Sequence, residues 1–490
     1  MPGTIIETKG GKLRGQTDGS VCSWKGIPYA TAARFTPPER SAPWQGVRDA
    51  TAFGRIPPQP SDPFLPGFDQ LPYPQGEDCL SLNVWAPERD GPPRPVMVWI
   101  HGGAYVSGSG AVPWYDGTAF ARDGDLVVVT LNYRLGALGF LRLWEIFGPK
   151  FSQSANLGIL DQIAALRWVQ ENIAAFGGDP SRVTIFGESA GAGSVGVLLA
   201  APAARGLFAQ AIMQSGSGAL LLQDEKKATE TARRILKAAG VAEGDEQALR
   251  SVDTSQLVDA TATFGPLPGL GPVVDGDVLP KHPLQALLEG SAAGVPLLTG
   301  VNRDEFRLFT LADPGWFSAS EAEFALRIRL VAGDLPHDLI RYYLEQSPGA
   351  SLYERLVPLL THALFGRAML VSAQAQVAHK APVWVYRFDF PTPVLGGQLG
   401  ACHALEIPFV FDTLDQPMAD RFTGDSPERQ AIADAMHWAW IGFARGLDPD
   451  HHRMPHWPQY GASHDVMAFG VRTHVETDPW APEQAAWSKA

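Results

Sequence analysis

Cysteine is scarce in this chain, with three residues among 490. So few thiols exclude a small fold held together by disulfides. Positive charge is also in deficit, because 39 Lys and Arg stand against 52 Asp and Glu and give a net charge of −13. A negative surface repels phosphate groups and anionic lipid, so we expect neither nucleic acid nor a membrane as a partner. A hydrophobic fraction of 45% and a charged fraction of 19% are typical of globular proteins.

Targeting and membrane-spanning patterns are not visible either. The first residues lack a basic stretch followed by an apolar one, which a secretory signal would show. The longest apolar stretch, near residues 195–204, is too short to cross a bilayer. We therefore expect a cytoplasmic protein, and the sequence leaves open whether it is a monomer or a homodimer.

Strand-like and helix-like patterns alternate along the chain. Continuous apolar runs at 96–100 and 126–131 predict parallel strands that helices cover on both faces. Apolar residues at helical spacing over 156–176 predict a helix, and the Gly-Gly pair that follows ends it. The alternation predicts an α/β fold around a mostly parallel sheet. Further strand-like runs are 183–186, 295–301 and 382–388. We expect one catalytic domain over residues 1–490, with helix-rich insertions at about 221–290 and 311–380.

The sharpest local signal is the pentapeptide Gly187-Glu188-Ser189-Ala190-Gly191. Such a motif is weak by itself, because chance alone gives it often. Its context is stronger, since a predicted strand precedes it and an Ala-rich helical segment follows at 193–201. A tight strand-to-helix turn needs small residues on both sides of a serine that points its hydroxyl out of the sheet. We therefore predict that Ser189 is a nucleophile.

A serine nucleophile needs a histidine base, which follows it in chain order in this type of fold. Eleven of the twelve histidines lie beyond Ser189, so order alone does not choose among them. His403 stands in a loop of small residues that would let an imidazole approach. His437 lies beside tryptophans and is typical of a core, whereas His451 and His452 lie in a polar loop.

The base in turn needs an acid that orients it. Glu305 follows the strand-like run 295–301, where the end of a strand would deliver it to the site. Asp304 is the immediate competitor, and a surface ion pair of Glu305 with Arg303 or Arg307 is the alternative role. Spacing favours Glu305 only slightly.

A third element, His101-Gly102-Gly103-Ala104, directly follows the first long apolar run. Acyl transfer passes through an oxyanion that needs fixed N–H donors, and two glycines let the backbone turn its N–H groups inward. We expect Gly102, Gly103 and Ala190 to supply these donors. His101 precedes the serine and is better explained as a residue that holds the loop.

Together these residues resemble the type-B carboxylesterase family of α/β-hydrolases, which includes bacterial p-nitrobenzyl esterases and cholinesterases. The resemblance runs from about Val21 to Phe469 and rests on many motifs in order. They are Trp24-Lys25-Gly26-Ile27-Pro28-Tyr29-Ala30, Glu77-Asp78-Cys79-Leu80, Leu82-Asn83-Val84, His101-Gly102-Gly103-Ala104, Asn132-Tyr133-Arg134-Leu135-Gly136, Asn156-Leu157-Gly158 with Asp161-Gln162, Phe176-Gly177-Gly178-Asp179-Pro180, Gln214-Ser215-Gly216-Ser217, Asn302-Arg303-Asp304-Glu305 and His403-Ala404-Leu405-Glu406.

The resemblance implies an α/β-hydrolase fold and a triad of Ser189, Glu305 and His403. It implies the same oxyanion donors and suggests that Glu188 and Ser215 form a buried polar network beside the triad. Hydrolysis by such a triad needs no metal and no organic cofactor. The secreted members pair the cysteine at the position of Cys79, but the partner position here is Pro57, so we expect a free buried thiol.

The pocket is less well defined by sequence. Candidate lining residues are Phe306, Phe309, Trp316 and Phe365, and each is also plausible as core. The loop 61–76 offers Phe64, Phe68 and Tyr73 but no tryptophan to hold a choline ammonium, which argues against a cholinesterase-like substrate.

The sequence is best explained by a serine carboxylesterase that acts on short-to-medium acyl or aryl esters through an acyl-enzyme. The same triad would also serve a carbamate or aryl-amide hydrolase, and the sequence does not decide between them. A lipase is less favoured, since no amphipathic lid is visible. A non-catalytic adhesion relative is disfavoured because all three triad positions are filled.

Overall fold

A large mixed β-sheet dominates the computed structural model, which describes residues 4–60, 73–265, 267–311, 313–446 and 448–488. Within these ranges the sheet has 11 strands. In chain order they are β1 (Gln16–Thr17), β2 (Val21–Pro28), β3 (Ser81–Pro87), β4 (Arg94–Ile100), β5 (Val127–Leu131), β6 (Gly178–Glu188), β7 (Gln210–Gln214), β8 (Leu297–Asn302), β9 (Val383–Phe388), β10 (Asp465–Phe469) and β11 (His474–Thr477). Their order across the sheet is β11-β10-β9-β8-β7-β6-β4-β5-β3-β2-β1.

The middle of this sheet is parallel and its two edges are antiparallel. Strands β5, β4 and β6 to β10 pair in parallel with their neighbours. Strand β11 at one edge and strands β3, β2 and β1 at the other pair antiparallel. The predicted α/β fold with a mostly parallel sheet is thereby confirmed. A smaller sheet and a ribbon lie near the N-terminus, and their strands are Ile5–Thr8, Gly11–Arg14 and Val47–Asp49, then Ala30–Thr31 and Glu39–Arg40.

Helices connect and cover the strands. They are α1 (Thr118–Gly124), α2 (Gly136–Phe140), α3 (Trp144–Phe147), α4 (Leu157–Asn172), α5 (Ala190–Ala200), α6 (Glu225–Ala238), α7 (Glu246–Ser251), α8 (Thr254–Ala262), α9 (Pro283–Leu288), α10 (Arg307–Thr310), α11 (Gly315–Ser318), α12 (Glu321–Ala332), α13 (His337–Glu345), α14 (Leu352–Thr361), α15 (Arg367–Ala378), α16 (Ile407–Phe411), α17 (Ala419–Thr423), α18 (Arg429–Gly446) and α19 (Ala481–Trp487). The helix predicted over 156–176 is α4 followed by the short turn Ile173–Phe176, and Gly177 ends it with a φ of 79°.

The core lies on both faces of the sheet. In β4 the side chains of Val96, Val98 and Ile100 join one apolar layer, together with residues of α4, α5 and α15. Met97 and Trp99 point to the other face and pack with residues of α16 and α18. Because both faces are buried, the strand has no polar alternation, which explains its continuous apolar sequence. Burial of each such side chain stabilises the fold by about 1.5–3 kcal/mol.

The two predicted insertions are helical. Residues 221–290 contain α6 to α9, and residues 311–380 contain α11 to α15. Helices α11 to α14 build an apolar cluster of their own, whereas α15 packs in the layer against the sheet. The continuous helical stretch Leu352–Ala378 is long and apolar enough to cross a membrane, but 67% of its most apolar window is buried inside the fold. Such burial is typical of a core helix. The organisation as one domain stays a prediction.

The parallel strands bring four chain segments to the side of the sheet where the carboxyl ends of the strands meet. Glu188 at the end of β6 pairs with Gln214 at the end of β7. Asn302 at the end of β8 pairs with Phe388 at the end of β9. Because β7 and β8 are neighbours, the residues that follow these four strands all emerge at the carboxyl ends of the strands. Open α/β sheets carry their binding and active sites there.

Candidate active site

Ser189 lies on the turn that joins β6 to α5. Its φ of 56° and ψ of −123° are unfavourable for a residue with a side chain and cost about 1–3 kcal/mol. The flanking glycines are required by close packing. A Cβ on Gly187 would lie 2.6 Å from the carbonyl oxygen of Ile100, and one on Gly191 would lie 2.0 Å from it. The N–H of Ser189 donates to the carbonyl of Gln214 at 2.9 Å, which holds the strained turn on the sheet.

The loop after β4 lies directly against this turn. A Cβ on Gly102 would lie 3.1 Å from Cβ of Ser189, so a larger residue would crowd the nucleophile. Gly103 has a φ of 104°, and a Cβ there would lie 2.2 Å from the carbonyl oxygen of Ser107. Ala190 is the first residue of α5, where N–H groups have no acceptor within the helix. The structure thus places Gly102 and Ala190 beside Ser189, and Gly103 follows Gly102 in the same loop.

His403 and Glu305 form a buried hydrogen-bonded pair. His403 Nδ1 donates to Glu305 Oε2 at 2.6 Å, and Glu305 Oε1 accepts the backbone N–H of Asn302 at 2.7 Å. Glu305 has no exposed surface. Because Nδ1 is held by the carboxylate, Nε2 is the ring nitrogen left to accept a proton.

Glu188, the residue before Ser189, faces the other side of this imidazole. Its Oε1 lies 3.1 Å from Nε2 of His403. Burial opposes a charge on the ring, but attraction to Glu188 and Glu305 outweighs it and raises the pKa of His403 to about 9. Burial raises the pKa of Glu188 well above its usual value. Ser215 is also fully buried, yet within the described residues its Oγ has no hydrogen-bond partner, so no direct bond joins it to Glu188.

Asp304, the competing acid, points away from the imidazole. Its Oδ2 accepts the backbone N–H of Ala401 at 2.8 Å and a guanidinium N–H of Arg303 at 2.8 Å. Arg307 approaches its other oxygen at 3.6 Å. The surface ion pairs considered for Glu305 are therefore made by its neighbour.

A buried polar network behind the pair was missed by sequence reasoning. Asn302 Nδ2 donates to Glu406 Oε2 and to the carbonyl of Cys402, each at 2.7 Å. Gln214 Nε2 donates to Glu406 Oε1 at 3.1 Å, and Trp440 Nε1 donates to Gln214 Oε1 at 3.0 Å. Burial and the nearby carboxylate of Glu305 raise the pKa of Glu406 to about 7. The signal that could have found this residue is its place in the same motif as the predicted base.

Two of the four predicted pocket residues contact the imidazole. The ring centroids of Phe309 and Phe365 lie 5.1 Å and 4.9 Å from that of His403. Phe306 packs against Phe309 at 5.7 Å and against Trp316 at 5.4 Å. Phe306 and Trp316 therefore lie one layer behind, in the core of the second insertion.

The other histidines lie in different surroundings. His101 is buried, stacks on Tyr133 at 4.5 Å and donates from Nδ1 to the next carbonyl at 2.8 Å. Burial lowers its pKa to about 4, so it holds the glycine loop as a neutral ring. His437 is buried with Nδ1 2.8 Å from a main-chain carbonyl of α16. His451 is half-buried and His452 is exposed.

Cys79 is a buried free thiol, as predicted, and so are Cys22 and Cys402. Phe64 and Phe68 lie outside the described residues. Tyr73 packs edge-on against Phe53 at 5.2 Å.

Known proteins share this architecture. The family model described as "Carboxylesterase family" matches residues 2–487. The para-nitrobenzyl esterase of Bacillus subtilis (strain 168) is 41% identical over 495 residues, which cover 98% of this chain and 97% of that protein. A phenmedipham hydrolase of Pseudarthrobacter oxydans is 36% identical over 94% of this chain and 93% of its own length. A crystal structure of the carboxylesterase Est55 of Geobacillus stearothermophilus matches with a TM-score of 0.93 and 50% identity, over 99% of this chain and 100% of that one.

Proposed function

Because the chain belongs to the carboxylesterase family and is a carboxylic ester hydrolase, we propose that Ser189, His403 and Glu305 are its catalytic triad. The observation that carries this proposal is the buried 2.6 Å bond between His403 and Glu305, at the same sheet edge as the strained serine turn. A nucleophile, a base and an orienting acid are the groups that acyl transfer needs.

The reaction begins with attack of Ser189 Oγ on the ester carbonyl carbon, while His403 Nε2 takes the hydroxyl proton. The carbonyl oxygen becomes an oxyanion that accepts from the N–H groups of Gly102, Gly103 and Ala190. The bond to the alcohol oxygen then breaks, and His403 returns the proton to the departing alcohol. Water attacks the resulting acyl-serine by the same route, which releases the carboxylic acid and restores the hydroxyl.

The energetic contributions follow from burial. Removal of one oxyanion donor from such a site costs about 2.7–4 kcal/mol, because preorganised dipoles act strongly where water is excluded. Glu305 stabilises the imidazolium that forms when His403 takes the proton. Both partners are almost fully buried, so solvent screens their attraction only weakly.

For the substrate we propose short-to-medium acyl or aryl esters. The rings of Phe309 and Phe365 stack on each other at 6.0 Å and flank the imidazole, so they offer an aromatic wall to the group bound there. A relative named for a para-nitrobenzyl ester supports substrates that carry an aromatic ring. We further propose a cytoplasmic location and a monomeric or homodimeric protein that works without nucleic acid or membrane partners.

The test is hydrolysis of p-nitrophenyl acetate, butyrate and octanoate by the wild type and by Ser189→Ala. We expect turnover that favours the short chains and a loss of at least a thousandfold in the variant. Ser181→Ala, which changes an exposed serine, is the matched control and should keep wild-type rates. Turnover of an aryl carbamate or aryl amide with no turnover of the three esters would favour the alternative substrate class. Full activity of Ser189→Ala would refute the assigned nucleophile.

A further inference from the structure

The segment that delivers His403 has little regular structure of its own. This base loop, defined as residues 392–403, contains left-handed backbone at Leu395, Gly396, Gly397 and Gly400, with φ between 54° and 82°. Its internal bonds include the N–H of Gly400 to the carbonyl of Gly397 at 3.1 Å. A loop of this kind has high conformational entropy, so its position must be fixed by contacts outside it.

One residue supplies a reciprocal pair of such contacts. The backbone N–H of Asp304 donates to the carbonyl of Ala401 at 2.9 Å, and the N–H of Ala401 donates to Oδ2 of Asp304 at 2.8 Å. Ala401 lies two residues before His403, and Asp304 lies one residue before Glu305. The same side chain therefore joins the backbone that carries the base to the backbone that carries the acid.

The packing around this contact leaves no room for an extra atom. A Cβ on Gly400 would lie 2.4 Å from Oδ2 of Asp304, and the φ of Gly400 is 58°. The glycine lets the base loop approach the carboxylate closely enough for the bond to Ala401. The position thus requires glycine both for its backbone angle and for this approach.

Two arginines face the same carboxylate and extend the contact. Arg303 donates to Oδ2 of Asp304 at 2.8 Å, and Arg307 lies 3.6 Å from Oδ1. Arg307 also donates to the carbonyl of Gln398 in the base loop at 3.1 Å and pairs with Glu354 of α14. The base loop is therefore tied to the acid side at three points: residues 398 and 401 through these contacts, and residue 402, whose carbonyl accepts from Asn302 Nδ2.

We propose that Asp304 is a positioning residue for the hydrolysis: through Ala401 it fixes the base loop so that His403 stays on Glu305 and within reach of Ser189. The proposal rests on the triad proposed above. Asp304 touches no reacting atom and acts through the backbone two residues before the base. Misplacement of a catalytic group by about 1 Å can cost roughly 10²-fold in rate, so a small shift of this loop is sufficient for a large effect.

The test compares Asp304→Ala with Asp304→Asn. The alanine removes the acceptor for the Ala401 N–H, and we expect kcat to fall about 10- to 100-fold with little change in KM. The asparagine keeps one oxygen acceptor and should restore most of the loss. Rates are expressed per active site, counted with a p-nitrophenyl organophosphate that phosphorylates the serine. The matched control is Asp313→Ala, which breaks an exposed ion pair with Arg327 and should leave kcat unchanged.

The pH profile separates positioning from mere stabilisation. A looser base loop weakens the bond of His403 to Glu305, which helps to raise the pKa of the imidazole, so the acid limb of kcat/KM should move to lower pH in Asp304→Ala. Gly400→Ala, which forces the same contact apart, should reproduce both effects. If His403→Ala abolishes turnover but Asp304→Ala and Gly400→Ala keep wild-type kcat per site and an unchanged pH profile, the positioning role is wrong and the triad is retained. Turnover by His403→Ala would instead refute the triad itself.

Discussion

Replacement of Glu305 by Gln changes one atom of the proposed triad and forces a choice between two contacts. Both carboxylate oxygens now accept a hydrogen bond, one from His403 Nδ1 at 2.6 Å and one from the N–H of Asn302 at 2.7 Å. An amide has a single acceptor. If its NH₂ faces the imidazole, Nδ1 must accept and the ring proton stays on Nε2, which then cannot take the proton of Ser189.

The opposite orientation of the amide is the costlier one. Its NH₂ would face the N–H of Asn302, and two buried donors without acceptors cost about 1–3 kcal/mol. We therefore expect the wrong tautomer of His403 to dominate. The corresponding change in a serine protease triad lowers kcat about 10⁴-fold. For Glu305→Gln we expect a fall of about 10³- to 10⁴-fold, which at about 1.36 kcal/mol per factor of ten equals roughly 4–5.5 kcal/mol.

The assay is steady-state hydrolysis of p-nitrophenyl butyrate, with thermal unfolding measured on the same preparations. Because the change keeps size and burial, KM and the unfolding midpoint should stay close to wild type. Glu289→Gln removes an exposed carboxylate that pairs with Lys281 and serves as the matched control. If Glu305→Gln retained more than a tenth of wild-type kcat, the assignment of Glu305 as the acid would be refuted.

Three further predictions concern the same site. The base must be neutral, and nearby carboxyls raise the pKa of His403 above 6.5, so kcat/KM should rise with pH through a midpoint above 6.5. Glu188→Gln should lower that midpoint in a pH–rate profile. An unchanged midpoint would contradict the contact between Glu188 and His403. Phe365→Ala should destabilise the fold by about 3–5 kcal/mol in denaturant titrations and admit bulkier esters, whereas wild-type stability would show that the ring is not core. Gly191→Ala places a Cβ 2.0 Å from a carbonyl oxygen of β4 and should yield no folded enzyme by circular dichroism, while Gly349→Ala, with open space around it, should fold normally.

The raised pKa of His403 also has a consequence for stability. A histidine whose pKa is higher in the folded state than in the unfolded state binds more protons when folded. Its contribution to the free energy of unfolding is complete below pH 6.5 and is lost as the pH rises through about 9. Activity and this part of the stability therefore change in opposite directions with pH.

Local features of the site could be predicted from the sequence. The serine turn and the Gly102–Gly103 loop each place their chemistry within a few residues of a strand end, so a short motif contains most of the information. The choice between Glu305 and Asp304 could not be made in this way, because both follow the same strand. It depends on contacts with His403 and Ala401, which lie 98 and 97 residues further along the chain.

Contacts between residues that are distant in the chain could not be predicted from the sequence. Asn302 and Glu406 are 104 residues apart, and neither segment indicates that it meets the other. Phe306 and Trp316, which the sequence offered as pocket residues, pack in the apolar cluster of the second insertion, so their role in a pocket stays a prediction. Aromatic residues in a helix-rich segment do not show which of them faces a cavity, since that depends on how the helices pack.

The strand order has a consequence for how such a protein can diverge. Strands β8 and β9 are neighbours, yet the chain between them makes a long detour through α11 to α15 before it returns to the sheet. Mutations, insertions and deletions that accumulate in this detour reshape the surroundings of a substrate, while the two strand ends stay fixed by their parallel pairing. Selection can therefore alter what the descendants of this chain hydrolyse while the proposed proton relay is inherited unchanged.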